Sequence, residues 1–136
     1  HYVGHHDAVK PVLTVAENVS FWAAMRGTHA QLDSALDAFD ISHLRDVPGR
    51  FLSAGQKRRV NLARVLAAPA PLWLLDEPTT ALDVATVARF EQALADHRKT
   101  GGMVVASTHT ALGLDDAVTL NLDEFHVEMA FDDSIY

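Results

Sequence analysis

The stretch 52–83 constrains the fold of this chain more than any other part of the sequence. It opens with a polar turn at the start of a predicted helix, continues into a short apolar run bounded by prolines, and ends beyond two adjacent acids. The apolar run, residues 71–75, predicts a fully buried strand. Because the carboxyl ends of strands face the ligand in open α/β sheets, we expect the acids Asp76 and Glu77 at a binding site.

The polar turn that opens this stretch predicts an anion site. Small residues stand where the predicted helix begins, and the first N–H groups of a helix have no partner within it. These donors and the positive end of the helix dipole favour a bound anion, and the chemistry that we expect there is phosphate binding. The residues of the turn are Ser53, Ala54, Gly55 and Gln56.

The two adjacent carboxylates suit nucleotide hydrolysis because they can divide the work. Asp76 is expected to hold Mg²⁺ through water, and Glu77 to orient or deprotonate the attacking water. The alternative is a surface strand end with two solvated acids, which is the commoner situation for an isolated Asp-Glu pair. The residues around the pair are therefore needed to choose between the two interpretations.

Three motifs in the stretch occur together and in order. LSAGQ, the apolar strand ending in Asp-Glu-Pro, and the later Ala-Leu-Asp resemble the signature motif, the Walker B motif and the D-loop of ATP-binding-cassette ATPases. The resemblance implies an α/β fold, the C-terminal part of a P-loop nucleotide-binding domain with a parallel-sheet core and an inserted helical subdomain. It also implies ATP and Mg²⁺ as cofactors, and it favours the hydrolytic interpretation of Asp76 and Glu77.

The sequence His5-His6-Asp7 is open to three interpretations. Consecutive residues seldom converge on one metal ion without a distant further ligand, so a solvated loop is favoured over a metal site. The family resemblance adds a third interpretation, because His5 stands where these ATPases carry a glutamine that reaches the metal and the attacking water. A neutral imidazole cannot replace both ends of an amide, and it titrates near neutral pH.

The resemblance assigns two further residues to the nucleotide site. His109 follows the predicted strand 103–107 and resembles the switch histidine that contacts the γ-phosphate. Asp83 is a good N-cap for a helix, and the D-loop resemblance also places it at an interface that bridges two nucleotides. In this family the signature turn, Ser53 to Gln56, contacts the nucleotide of a facing copy, which implies a dimer with a second ATPase chain.

The rest of the sequence predicts alternating helices and strands. We expect a partial ATPase domain over 1–122, with a helical subdomain at about 14–67 and the core sheet at about 69–122, followed by an acidic tail at 123–136. Thr14 and Glu17 have the spacing of a capping box for the first helix, and Gly27 ends it. The other predicted elements are a strand end at 2–4, helices at 30–39, 55–67 and 83–99, a turn at 42–45, a strand at 103–107, a helical turn at 111–117 and a strand at 118–122.

Two of the predicted helices carry side chains whose environment can be anticipated. The basic residues Lys57, Arg58 and Arg59 are either a solvated helix face, which is the favoured interpretation, or a contact with phosphate or a partner. The helix at 83–99 is expected to pack against the core through one side. That side consists of Val84, Val87, Ala88, Phe90 and Leu94.

Composition excludes several classes of function. The net charge is −7 and there is no sustained basic run, which argues against a general nucleic-acid surface. There is no cysteine, so disulfides and thiolate metal sites are excluded. No apolar run approaches the roughly 20 residues that cross a bilayer, so we expect no direct membrane insertion and a peripheral role at most.

A phosphate loop of the form GxxxxGK(S/T) does not occur in the sequence. We interpret the chain as a fragment that begins just before the position of the family's glutamine loop. Alone it is expected to bind MgATP very weakly and to hydrolyse none, because most of the N–H donors for the triphosphate and the lysine are missing. The alternative is a non-hydrolysing interaction module that docks on a partner or on an intact copy.

Several segments resemble one branch of the family. GHH followed by KP, LT, EN and FWA, then MRG, the long signature-to-D-loop stretch, and STHTALGL resemble the ATPase subunit of the cytochrome c maturation haem exporter. The resemblance implies ATP hydrolysis in support of haem delivery for cytochrome c assembly. It implies transmembrane transporter subunits as partners and a peripheral location on the cytoplasmic face of the bacterial inner membrane.

Overall fold

A computed structural model describes residues 1–27, 31–114 and 116–125 of the chain. Three parallel strands form one sheet in the order β1 (Tyr2–Val3), β2 (Leu72–Asp76) and β3 (Met103–Ser107). The register places Asp76 opposite Ser107. Because all three strands run the same way, their carboxyl ends lie along one edge of the sheet, as the α/β class predicted.

Helices make up most of the remaining described chain. The α-helices are α1 (Val15–Met25), α2 (Leu32–Ala38), α3 (Ala54–Ala67) and α4 (Val84–Lys99), with short 3-10 helices at Ser42–Leu44, Gly49–Phe51 and Leu122–Phe125. The predicted capping box of α1 is confirmed, since Thr14 Oγ1 accepts from the Glu17 N–H at 3.2 Å and the Glu17 carboxylate accepts from the Thr14 N–H at 2.8 Å. Gly27 follows α1 with a φ of +66°, a conformation that glycine adopts without strain.

The apolar core lies where α1 and α2 pack on α3 and where α3 and α4 meet the sheet. Burial of these side chains removes apolar surface from water and is the main stabilising term of the fold. The largest buried apolar side chains of the core include Phe39, Leu36, Ile41, Leu62, Leu94, Val15 and Val19. In the described part of the chain, no helix is both long enough and apolar enough to cross a bilayer.

The prediction that the strand at 71–75 is fully buried is wrong, and the strand at 103–107 shows the same alternating exposure. In β2 the side chain of Leu75 is buried whereas that of Leu74 is 40% exposed, and in β3 Val105 is 60% exposed. Successive side chains of a strand point to opposite faces, and the burial of these strands alternates accordingly. One face of the sheet is therefore covered by helices, and the other is open among the described residues.

The predicted strand at 118–122 is also not found, and the predicted helical turn at 111–117 is represented among the described residues by a single turn. That turn is closed by the Ala117 N–H and the Leu114 carbonyl at 3.2 Å. In 118–122, Val118 is exposed and a 3-10 helix begins at Leu122. A strand needs a neighbouring main chain for its hydrogen bonds, and an apolar run does not supply one. Of the predicted acidic tail, 126–136 lies outside the described residues.

The predicted inner side of the fourth helix is correct only in part. Phe90 and Leu94 of α4 are buried, whereas Val84 is 87% exposed and Ala88 is exposed. The buried stripe of α4 also includes Thr86, four residues before Phe90. Only this narrow stripe meets the core, because side chains three and four residues apart share one helix face.

Candidate functional site

The predicted acids Asp76 and Glu77 lie at the carboxyl end of β2. Ser107, at the end of β3, donates from Oγ to Asp76 Oδ1 at 2.8 Å. The Glu77 N–H donates to the Ser107 carbonyl at 2.9 Å, and Glu77 has a φ of +45°. Both acids are half-buried rather than fully solvated. A non-glycine residue in the left-handed region is unusual, so Glu77 is held there by its surroundings.

His109 lies beside Glu77, just beyond the end of the neighbouring strand β3. Its Nε2 is 3.5 Å from Glu77 Oε1. The His109 side chain is 95% exposed, whereas that of Glu77 is 24% exposed. The imidazole is therefore open to a ligand above the sheet edge while it stays in reach of the carboxylate.

His5 follows the end of β1 at the same edge of the sheet. It shares a cavity of about 540 Å³ with Asp76 and His6, and the two imidazole rings meet edge to face at 5.4 Å. Asp7 does not complete a ligand set with them. Its carboxylate accepts from the side chains of Arg58 and Asn61, each at 3.3 Å. Within 1–27, 31–114 and 116–125, no group of three or more histidine and acidic side chains could hold a metal ion.

The signature-like turn, residues 53–56, forms the N-terminus of α3. Ser53 Oγ accepts from the Gln56 N–H at 3.2 Å, and Gln56 Oε1 accepts from the Ser53 N–H at 2.8 Å. The two side chains thus form a capping box, and Ser53 and Ala54 are exposed. A Cβ on Gly55 would lie 3.2 Å from the Ala81 carbonyl, so the small residue lets this turn approach the segment before α4.

Asp83 is the N-cap of α4, as predicted. Its Oδ1 accepts from the Thr86 N–H at 2.8 Å, and its other oxygen forms an ion pair with Arg59 of α3. The hydrogen bond from Thr86 is the main cause that lowers the pKa of Asp83 below its ordinary value. The Arg59 pair joins the segment 81–83 to the helix that carries the signature-like turn.

Arg58 is a site residue that the sequence interpretation missed. The favoured expectation of a solvated face is wrong for this residue, because Arg58 is 3% exposed and donates to main-chain carbonyls around the two acids. Helical spacing contains the signal, since Arg58 lies four residues before the buried Leu62 and seven before the buried Val65. A cation on the buried stripe of a helix needs several partners, because an unpaired buried charge is costly.

Arg64, six residues after Arg58 in α3, contacts β1. It is buried, donates to the Tyr2 carbonyl at 2.5 Å and lies over the Trp22 ring at 4.5 Å from the centroid. Burial lowers the pKa of the Arg64 guanidinium to about 10. The side chain is therefore still charged near neutral pH, and it is hydrogen-bonded to the main chain of β1.

The carboxylate of Asp76 is suited to hold a hydrated divalent cation. Asp76 Oδ1 is occupied by the Ser107 hydroxyl, and Oδ2 has no hydrogen-bond partner among the described residues. A carboxylate oxygen is the ligand type that Mg²⁺ prefers, and Mg²⁺ usually keeps several waters. The donor set of the site therefore fits a magnesium ion.

A family model described as "ABC transporter" matches residues 1–80. The chain belongs to the ABC transporter family. The prediction from the signature-like turn, the strand with its two acids and the D-loop is thereby confirmed at the level of the family.

Named relatives agree with this membership of the ABC transporter family. The chain is 58% identical over 132 residues to the cytochrome c biogenesis ATP-binding export protein CcmA of Paramagnetospirillum magneticum, covering 93% of this chain and 61% of the relative. It is 60% identical over 126 residues to the protein of the same name from Rhodospirillum rubrum, covering 92% and 54%. The chain thus spans a little over half the length of these relatives, and the predicted branch resemblance is confirmed.

Solved ABC structures have the same fold. A dimeric post-hydrolysis state of the ATP-binding cassette MJ0796, bound to ADP and Pi, is 30% identical with a TM-score of 0.72, covering 80% of this chain and 51% of the other. An ATP-binding subunit of an ABC transporter is 17% identical at a TM-score of 0.72, covering 79% and 48%, and this likeness concerns the fold alone. The predicted α/β class of an ABC-type nucleotide-binding domain is confirmed.

Proposed function

We propose that this chain supplies the signature turn and the hydrolytic residues of an ATP-hydrolysing ABC transporter subunit that serves haem export for cytochrome c biogenesis. The observation that carries the proposal is the arrangement of Asp76, Glu77 and His109 at one sheet edge. The relatives named as ATP-binding export proteins of cytochrome c biogenesis support the branch.

Each side chain of the sheet edge takes one part of the reaction. Glu77 orients the attacking water and accepts its proton, and the half-buried carboxylate is suited to that because it is only partly hydrated. The carboxylate of Asp76 would hold hydrated Mg²⁺, and Ser107 keeps that carboxylate oriented. His109 donates a hydrogen bond to the γ-phosphate, and His5 takes the place of the family's glutamine. Bound Mg²⁺ neutralises charge on the phosphate oxygens.

The signature turn acts on the nucleotide of a second copy. Ser53 and Ala54 of the turn are exposed, and the free N–H groups at the start of α3 suit a phosphate. In a two-fold dimer, each turn faces the site of the other chain, with Asp83 at the interface. The likeness to a dimeric cassette bound to ADP and Pi supports this arrangement. The residues of the turn are Ser53, Ala54, Gly55 and Gln56.

The partners of the proposed subunit are transmembrane transporter subunits. We assign the protein to the cytoplasmic face of the bacterial inner membrane, where it acts peripherally and contacts no nucleic acid. The name of these relatives, ATP-binding export proteins of cytochrome c biogenesis, supports the choice of partner class. The net charge of −7 is consistent with the absence of a nucleic-acid surface.

A second candidate function is favoured by one observation, the absence of a GxxxxGK(S/T) loop from the 136 residues. Without such a loop these residues form a non-hydrolysing module that docks on a partner or an intact copy. Isothermal titration of the 136-residue chain with MgATP tests the very weak binding that both candidates expect of these residues. Micromolar affinity would contradict the assignment of triphosphate binding to a separate loop.

The decisive experiment replaces Glu77 in the natural protein that carries this chain together with a phosphate loop. Glu77→Gln keeps the shape of the side chain but cannot accept a proton, so we expect turnover to fall about hundredfold or more with little change in MgATP affinity. Glu91→Gln, which neutralises a carboxylate on α4, is the control and should leave turnover near wild type. Wild-type turnover in Glu77→Gln would overturn the assignment.

A further inference from the structure

The Arg58 guanidinium joins two loops that carry the proposed catalytic residues. It donates from Nη1 to the Gly4 carbonyl at 2.8 Å, from Nη2 to the Asp76 carbonyl at 3.0 Å and from Nε to the Pro78 carbonyl at 3.2 Å. Nη2 also donates to the Glu77 carbonyl. The first acceptor directly precedes His5, and the other three form the turn that contains Glu77.

Arginine is the only side chain that can make this set of bonds. Its five N–H donors lie in one rigid plane and point in different directions, whereas the three donors of lysine share a single nitrogen. Asp7, at 3.3 Å from Nη1, adds an ionic partner. Because the guanidinium is buried, loss of any acceptor leaves a charged donor without compensation, so the two loops are held together.

The same arginine connects these loops to the signature turn. Arg58 stands in the second turn of α3, and the capping box of Ser53 and Gln56 fixes the start of that helix. Because α3 moves as a rigid element, a displacement of the helix also displaces Arg58. Glu77 has a φ of +45°, a conformation that persists only where the surroundings impose it, and its carbonyl is one of the Arg58 acceptors.

We propose that Arg58 is a positioning residue that sets the place of the Glu77 carboxylate relative to His5 and links both to the start of α3. The inference rests on the proposed hydrolytic role of Glu77. When the signature turn contacts the nucleotide of the facing copy, α3 and Arg58 thereby change the position of Glu77, the residue that handles the attacking water.

The first test needs no activity and uses the 136-residue chain. Arg58→Lys keeps the charge but not the planar set of donors, and Arg64→Lys is the matched control, a buried arginine of the same helix that donates to Tyr2 instead. We expect Arg58→Lys to shift the amide NMR resonances of 4–7 and of Asp76 and Glu77, and to raise hydrogen exchange at the Glu77 amide about tenfold. Resonances of Asp76 and Glu77 that are unchanged, or that move equally in Arg64→Lys, would overturn the proposal.

The second test measures steady-state ATP hydrolysis by the natural protein that carries this chain. A displaced Glu77 affects the chemical step rather than binding, so Arg58→Lys should lower kcat at least about tenfold and leave KM for ATP within about twofold. Arg64→Lys, compared at a similar thermal midpoint, should keep most of kcat. A kcat within twofold of wild type in Arg58→Lys, or an equal loss in Arg64→Lys, would overturn the proposal.

A third variant keeps the proposal testable where Arg58→Lys does not fold. Asp7→Ala removes the ionic partner and leaves the four carbonyl acceptors in place, so we expect a smaller loss of kcat, about threefold, with amide shifts at Asp76 and Glu77. Absence of both effects in Asp7→Ala would then overturn it.

The outcomes separate this inference from the proposed function. Loss of turnover in Glu77→Gln together with normal turnover in Arg58→Lys refutes the positioning role alone. Normal turnover in Glu77→Gln refutes the proposed function, and the amide measurements then decide whether Arg58 sets the conformation of the Glu77 turn.

Discussion

The Ser107 hydroxyl donates a 2.8 Å hydrogen bond to Asp76 Oδ1, and these two residues are also register partners at the ends of β2 and β3. The bond occupies Oδ1, and Asp76 Oδ2 has no hydrogen-bond partner among the described residues. A second hydrogen bond, from the Glu77 N–H to the Ser107 carbonyl, holds Glu77 against the end of β3. Ser107 thus orients one acid through its side chain and the other through its main chain.

Removal of this hydroxyl should weaken the proposed magnesium site. Ser107→Ala leaves Asp76 free to rotate, and because Ser107 is exposed, water replaces part of the lost bond. We therefore expect a modest effect, a magnesium requirement about threefold higher in a titration of ATP hydrolysis by the natural protein. Thr108→Ala, which removes a hydroxyl that bonds to Thr110 instead, is the control. An unchanged magnesium requirement in Ser107→Ala would contradict this role.

The imidazole at position 5 should be replaceable by an amide but not by a methyl group. If His5 serves in the place of the family's glutamine, His5→Ala should lower ATP hydrolysis several-fold and impair its coupling to the transport partner, whereas His5→Gln should retain most of both. His6→Ala is the matched control, because His6 is the adjacent ring in the same cavity. Equal wild-type behaviour of the two His5 variants would show that His5 is structural.

A bulky residue at the start of α3 should block the proposed action on the facing copy. Ser53→Arg should lower ATP turnover of the natural protein about hundredfold, because the side chain prevents the helix N-terminus from approaching phosphate. Thr14→Arg is a matched control, since Thr14 occupies the same position in the capping box of α1 and the substitution costs a similar cap. Equal losses in the two variants would argue against a specific role of the signature turn.

The N-cap of α4 should make the free energy of unfolding depend on pH in the acid range. Hydrogen bonds from Thr86 hold the pKa of Asp83 below its ordinary value of 3.8. The folded pKa is lower than the unfolded one, so the contribution to the free energy of unfolding is present above the unfolded value and is lost as pH falls through the folded value. Asp83→Asn keeps an acceptor for the cap but not the charge.

Urea unfolding of the 136-residue chain at about pH 6 and about pH 3 measures this contribution. The Asp83→Asn variant should be less stable than wild type at the higher pH, and the difference should shrink at the lower pH. A difference that stays constant between the two conditions would mean that the charge of Asp83 contributes nothing to the folded state.

The sequence by itself determined the local features of this protein. The capping box at Thr14 and the N-cap at Asp83 were predicted from the sequence, because a cap bonds to main chain only two or three residues away. The two acids at the end of β2 were placed correctly for a related reason. An apolar run bounded by prolines marks a strand, and its end is where a parallel sheet presents side chains to a ligand.

Only the tertiary structure decided which surfaces are covered. The apolar side chains Leu74 and Val105 are exposed, and Val118 belongs to no strand, because burial and strand pairing depend on distant parts of the chain. Arg58 shows the same dependence in the opposite direction. Its residue type predicts solvent, yet its acceptors lie 18 to 54 residues away in sequence. A buried guanidinium becomes favourable only once folding has brought those carbonyls together. The residues next to Arg58 in the sequence do not indicate that these acceptors will be present.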